Sequence, residues 1–199
     1  MQKKRWIGFL FIFLAYLNPL RAEVETIIVN WDAFKCQDLC TSLIARQFSA
    51  IKEVSNLQIN APSGTAVMGW DPNYPFSYEP FRYASAGVGI HITSMRLRVR
   101  GTISHDIENI YLVSNGDDAR FLLIGPLHPE PGRYVPNYSL ATHPLPPEMR
   151  ERLLEAERKR LTVVISGPLF QPSHYPRTLI VEQMSVNARA SQMDLRYQR

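Results

Sequence analysis

The chain alternates between two periodicities. Thr26-Ile27-Ile28-Val29-Asn30-Trp31 is β-branched and apolar, the pattern of a buried strand. Across residues 37–51, Leu39, Leu43, Ile44, Phe48 and Ile51 fall on one helical stripe. Two strands follow, 53–61 and 65–70, and Pro62-Ser63-Gly64 between them is turn chemistry, so they form a hairpin. Ser77 is placed to cap a short helix carrying Phe81, Ala84 and Val88 on one face and stopped by Gly87 and Gly89. Ile90-His91-Ile92 starts another strand. This order, β-α-β-β-α-β, predicts a ferredoxin-like unit.

The second half is mostly strand. Met95 to Ile103 alternates strictly, with Arg96, Arg98 and Arg100 on one face and Met95, Leu97 and Val99 on the other. Segments 109–114 and 119–124 flank Asn115-Gly116-Asp117-Asp118, a hairpin turn. A proline-rich loop with Tyr134 and Tyr138 runs from Gly125 to Pro147. A charged helix over 148–160 places Met149, Leu153 and Ala156 on one face, and strands 161–170 and 177–186 follow. Three strands, a helix and two strands predict a small OB-like β-barrel with its helix between the third and fourth strands. Gly101 and Gly167 lie inside strand patterns, where small barrels bend sharply. The expected fold class is therefore α+β. A ferredoxin-like domain over 23–94 precedes an OB-like barrel over 95–187, and 188–199 is a polar tail.

The first residues change the meaning of the composition. Lys3, Lys4 and Arg5 precede an apolar stretch from Trp6 to Leu17, and Pro19 and Ala22 precede a cut at Glu23. That is the layout of a signal peptide over 1–22. The apolar stretch is shorter than the ~20 residues a membrane span needs. The expectation is export to a periplasmic or extracellular compartment, with no stable membrane span after cleavage. The chain has 22 Lys+Arg against 18 Asp+Glu. Lys3, Lys4, Arg5 and Arg21 lie in the leader, and removing these four leaves 18 against 18. A neutral exported protein lacks the basic excess of a nucleic-acid binder, so none is expected as a partner. Residues 23–94 carry four basic and seven acidic residues, net −3, and the remainder is net +3.

Asp32-Ala33-Phe34-Lys35-Cys36-Gln37-Asp38-Leu39-Cys40 resembles the metal-binding loop of heavy-metal-associated domains, Gly-Met-x-Cys-x-x-Cys between the first strand and first helix. The similarity continues through Ile44, Phe48, Ile51 and Val54 and covers about residues 24–94. It implies a ferredoxin-like fold and a soft metal ion such as Cu(I) held by the two cysteines. This chain departs from the pattern: three residues separate Cys36 and Cys40 where the family has two, and Phe34 and Ala33 replace Met and Gly.

Cys36 and Cys40 are the only cysteines, and three states remain open for them. They clip a soft metal, they form a disulfide in the oxidising compartment, or they stay reduced with one of them in the core. A second candidate surface, for an envelope protein partner, comprises Trp70, Tyr74, Phe76 and Tyr78 in an aromatic-dense stretch, together with Arg96, Arg98 and Arg100. Its alternatives are packing between the two halves for the aromatics and ion pairing with neighbouring acids for the arginines. His91, His105, His128, His143 and His174 lack ligand spacing, and His105 with Asp106 and Glu108 makes at most a weak hard-metal loop. There is no Gly-x-Ser-x-Gly, P-loop, His-Glu-x-x-His or thioredoxin-type Cys-x-x-Cys, so a non-enzymatic binding role is expected.

Overall fold

The computed structural model of the chain describes residues 24–32, 38–114, 119–126 and 143–187. The leader, the turn at 115–118, most of the proline-rich loop and the tail lie outside the described residues. The elements run β1 (Val24–Trp31), α1 (Asp38–Ser49), β2 (Val54–Asn60), β3 (Thr65–Trp70), α2 (Glu79–Ala86), β4 (Ile92–His105), β5 (Ile110–Val113), β6 (Arg120–Ile124), α3 (Pro147–Arg158), β7 (Thr162–Phe170), β8 (Arg177–Ile180) and β9 (Gln183–Asn187). The fold is thus mixed α and β, as the periodicities predict, with strands predominating.

The first four strands pair in the order β2-β3-β1-β4, all antiparallel. Helix α1 packs against β2 and α2. Its buried stripe is Ile44 and Phe48, continued by Ile51 two residues past the helix end. Leu43, expected on that stripe, is 48% exposed; it sits one residue, about 100°, off the line. Helix α2 buries Phe81, Ala84 and Ser85. Its cap position is Tyr78 rather than Ser77, although the Ser77 hydroxyl accepts the Glu79 amide at 3.4 Å. Gly89, at φ +75°, turns the chain out of the helix, and the Ile90 amide donates back to the Ser85 carbonyl at 2.9 Å.

Strand β4 is 14 residues long and serves two structures. Its first part pairs with β1, its last part with β5, and Arg96–Gly101 pair with β7 on the opposite edge. The strands expected on either side of residue 94 are therefore one strand, and the expected domain boundary falls inside it. Strands β4-β5-β6-β8-β7 close on β4 as a five-stranded barrel, antiparallel except for β6 and β8. The helix α3 connects the third and fourth barrel strands, a layout compatible with the OB-like expectation. The single strand expected over 177–186 breaks at Val181-Glu182. Strand β8 stays in the barrel, while β9 pairs with the other end of β7.

The two strand glycines permit this closure. A Cβ on Gly101 would lie 2.4 Å from the Val113 carbonyl oxygen, and one on Gly167 would lie 1.7 Å from that of Ile180. Both are backbone contacts, so neither can yield as a flexible side chain would. One apolar cluster runs through the sheet and the barrel interior, from Ile27, Phe48 and Met68 to Leu112, Leu153 and Leu179. We expect Gly167→Ala to lower unfolding free energy by about 3 kcal/mol, the upper end of overpacking costs. Gly89→Ala, with open space around it but positive φ, costs about 1 kcal/mol. Urea denaturation of both variants checks the order.

Candidate functional site

The cysteines flank the start of a helix. Strand β1 ends at Trp31, and α1 begins at Asp38, so Cys40 lies in the first helical turn. Cys36 and the side chain of Cys40 lie outside the described residues, and the β1–α1 connection is not characterised further. The Trp31 indole N–H beside it is buried with no acceptor among the described residues. No group of three or more His, Cys, Asp or Glu gathers among the described residues. His105 instead meets Glu157 of α3, Nδ1 to Oε2 at 2.5 Å. Asp106 accepts the Asn109 and Glu108 amides at 2.7 and 3.0 Å and the Tyr111 hydroxyl at 3.0 Å. The hydrogen bonds of Asp106 thus stay within its own turn, and α3 reaches that turn through Glu157 and through Arg150, which donates to the Glu108 carbonyl at 3.4 Å. Among the described residues no helix is long and apolar enough to cross a membrane.

The aromatic stretch is largely interior. Trp70 and Phe76 are 6% and 0% exposed. The Trp70 indole donates to the Tyr74 carbonyl at 2.9 Å, which ties down the loop between them. Ring contacts run from Phe48 to Phe81, from Phe81 to Trp70, from Trp70 to Phe76 and from Phe76 to Phe121, at centroid distances of 5.8, 5.8, 5.4 and 6.2 Å. This chain of rings joins the helical half to the barrel, and Trp70 and Phe76 present no surface to a partner. Tyr78 packs on the core with its hydroxyl pushed above the ordinary tyrosine range, chiefly by desolvation. Tyr74 is 38% exposed and has the Lys52 ammonium over its ring at 4.7 Å.

Arg96, Arg98 and Arg100 line the open sheet face, and each has an acidic partner. A register shift between Val24 and Thr26 makes Glu25 the extra residue of a β-bulge. Its carboxylate accepts Arg98 Nε at 2.8 Å and Arg100 Nε at 2.6 Å. Arg96 pairs with Glu182, at the break between β8 and β9. A polar row, Thr65 to Asn30 to Ser94, crosses the same face through hydrogen bonds of 3.0 and 2.9 Å. A groove of about 220 Å³ lies among Thr26, Ile28, Arg96, Arg98, Ser166 and Gln183. Ion pairing with neighbouring acids was expected for these arginines; which acids supply it was not legible, because the bulge that aims Glu25 leaves no mark in the alternation.

A larger cleft, about 590 Å³, lies on the barrel. Its walls include Tyr111, Leu122, Ile124, Leu145, Arg150 and Pro176. The Arg120 guanidinium sits 4.4 Å from the Tyr111 ring centroid. The Tyr111 hydroxyl is pushed above its ordinary range, first by desolvation and then by its bond to Asp106. Sequence reasoning missed this site because its residues come from separate segments. The available signals were an isoleucine in the polar turn Asp106-Ile107-Glu108 and a tyrosine beside Pro176.

No known protein family, curated protein or solved structure matches the chain.

Two predictions follow from the charged groups. Glu25→Ala lowers stability by about 1 kcal/mol at low salt, and the difference shrinks in molar salt, because the pairs are partly exposed. The Asp106 carboxyl is held below the ordinary aspartate value, mainly by the Asn109 and then the Glu108 amide. A lowered folded pKa stabilises the turn above the unfolded aspartate value, and this is lost as pH falls through the folded one. Protection of the Asn109 amide, its NMR exchange rate relative to the intrinsic rate at each pH, should therefore persist through the ordinary aspartate range and fall only below it; in Asp106→Ala the protection is lost throughout.

Proposed function

We propose that this chain is an exported, non-enzymatic binding protein that handles a soft metal ion such as Cu(I) through Cys36 and Cys40. In this reading a ferredoxin-like unit of heavy-metal-associated type leads into an OB-like barrel. The observation that carries it is the position of Cys40 in the first turn of α1, directly after the β1–α1 connection. A helix N-terminus lowers thiol pKa and favours the thiolate, the form that binds soft metals. The β-α-β-β-α-β connectivity and the order β2-β3-β1-β4 support the ferredoxin-like assignment. The parallel β6–β8 pair and the place of α3 support the OB-like one.

A second reading is an envelope protein-interaction module in which Cys36 and Cys40 form a disulfide and metal binding is lost. The barrel cleft favours it, since it is a surface feature unrelated to the cysteines.

Thiol counting on protein purified without reductant separates the two. It is followed by reduction and Cu(I) titration against a competing chelator. The metal reading expects one Cu(I) per chain, with tight binding abolished by either Cys36→Ser or Cys40→Ser. A stable disulfide with no Cu(I) affinity after reduction leaves only the second reading.

A further inference from the structure

Strands β1, β4, β7 and β9 lie side by side, and their registers set one residue of each in a single row. Thr26 stands opposite Arg98, Arg98 opposite Ser166, and Ser166 opposite Gln183. Their chain neighbours Ile27, Leu97 and Ile165 belong to the core, so the row points to the other, open face of the sheet. Directly opposed residues on one face stand about 5 Å apart, close enough for adjacent members to share one ligand. The row crosses the groove of about 220 Å³, and all four residues line it.

The row holds donors that the protein does not use. A guanidinium carries five N–H donors. Arg98 gives its Nε to Glu25 at 2.8 Å, which leaves the fork of its two terminal amino groups. Arg96 differs, because both of its terminal nitrogens meet Glu182. Among the described residues the hydroxyls of Thr26 and Ser166 and the carboxamide of Gln183 make no side-chain hydrogen bond. A planar fork with hydroxyl and amide donors beside it matches the geometry of an oxyanion.

Charge and size narrow the class. Three guanidinium groups, of Arg96, Arg98 and Arg100, meet two carboxylates, of Glu25 and Glu182, so the cluster carries one net positive charge. The adjoining positions on β3 and β9, Thr65, Val67 and Ser185, add none. One net charge suits a monoanion. A phosphate dianion or a polyanion would bring further negative charge against Glu25 and Glu182. The groove holds about seven waters' worth of space at ~30 Å³ each, which is room for a short chain and below the size of drug-like ligands. Ile28 supplies an apolar wall beside the row. We infer that this groove binds a short organic monocarboxylate, with the Arg98 terminal amino groups, the Ser166 hydroxyl and the Gln183 amide as donors and its hydrocarbon part against Ile28. The site is separate from the cysteines and does not depend on their state.

Titration of the isotope-labelled protein with butanoate at fixed ionic strength, followed by NMR, tests this. The amides of Thr26, Arg98, Ser166 and Gln183 should shift together and saturate, whereas butanamide, which lacks the charge, shifts none of them. Arg98→Gln should weaken binding about tenfold, the scale of one lost hydrogen bond to a charged group. Arg100→Gln removes the same charge and also breaks a pair with Glu25, but Arg100 does not line the groove. Its binding should stay within about twofold of wild type, since salt screens a charge that makes no contact. Ser166→Ala combined with Gln183→Ala keeps every ion pair and should weaken binding about fivefold. This pair carries the test by itself if Arg98→Gln does not fold. The inference fails if butanoate gives no saturable shift, if Arg98→Gln and Arg100→Gln lose binding equally, or if inorganic phosphate binds more tightly than butanoate. A short peptide that binds through its free C-terminus more tightly than butanoate also overturns it, since the groove would then hold a chain end. Cys36→Ser and Cys40→Ser should bind butanoate as wild type does, so this test and the Cu(I) titration fail separately.

Discussion

Strands β4 and β7 pair antiparallel from Arg96 to Gly101 and from Val163 to Pro168, and each also changes partner along its other edge. Strand β4 leaves β1 after Val99 and takes up β5 at Thr102. Strand β7 leaves β9 after Ser166 and takes up β8 at Leu169. A change of partner crowds two backbones against the strand at one place, and a side chain there would occupy the carbonyl of the incoming strand. Gly101 and Gly167 stand at those two places. The barrel closes and the sheet continues because these two positions have no Cβ. The ion pairs of Glu25 and Glu182, the cleft and the ring contact between Phe76 and Phe121 all depend on that junction.

Much of this was legible in the chain. The alternation from Met95 to Ile103 put the right residues inside, the helical stripes located α1, α2 and α3, and the two glycines were conspicuous within strand patterns. Pairing was not legible. Alternation states which face of a strand is buried but not which strand lies beside it, so β4 read as two strands meeting near residue 94. The apolar run Leu179-Ile180-Val181 hid the break between β8 and β9 for the same reason, because burial on both sides of a break looks like one buried strand.

The candidate sites divide along similar lines. Trp70 to Phe81 has no regular period in its loop portion, and composition alone cannot separate rings that fill a core from rings that meet a partner. Ring contacts through Phe121, some forty residues further on, decide the matter for Trp70 and Phe76. The spacing of Cys36 and Cys40 was plain, and their position near a helix start was expected, but spacing does not state whether two sulfurs hold a metal or each other. The cleft was hidden because Glu108, Leu122, Leu145 and Pro176 come from distant stretches of chain.

Sharing β4 also sets what evolution can do with this molecule. Domains joined by a linker can be shuffled, duplicated or shed, since a break between them cuts no hydrogen-bond ladder. Here a break between Ser94 and Met95 would divide one strand and part β1 from its neighbours Met95 to Val99, although the barrel pairings of β4 all lie beyond the break. The two halves share the hydrogen-bond ladders of one strand.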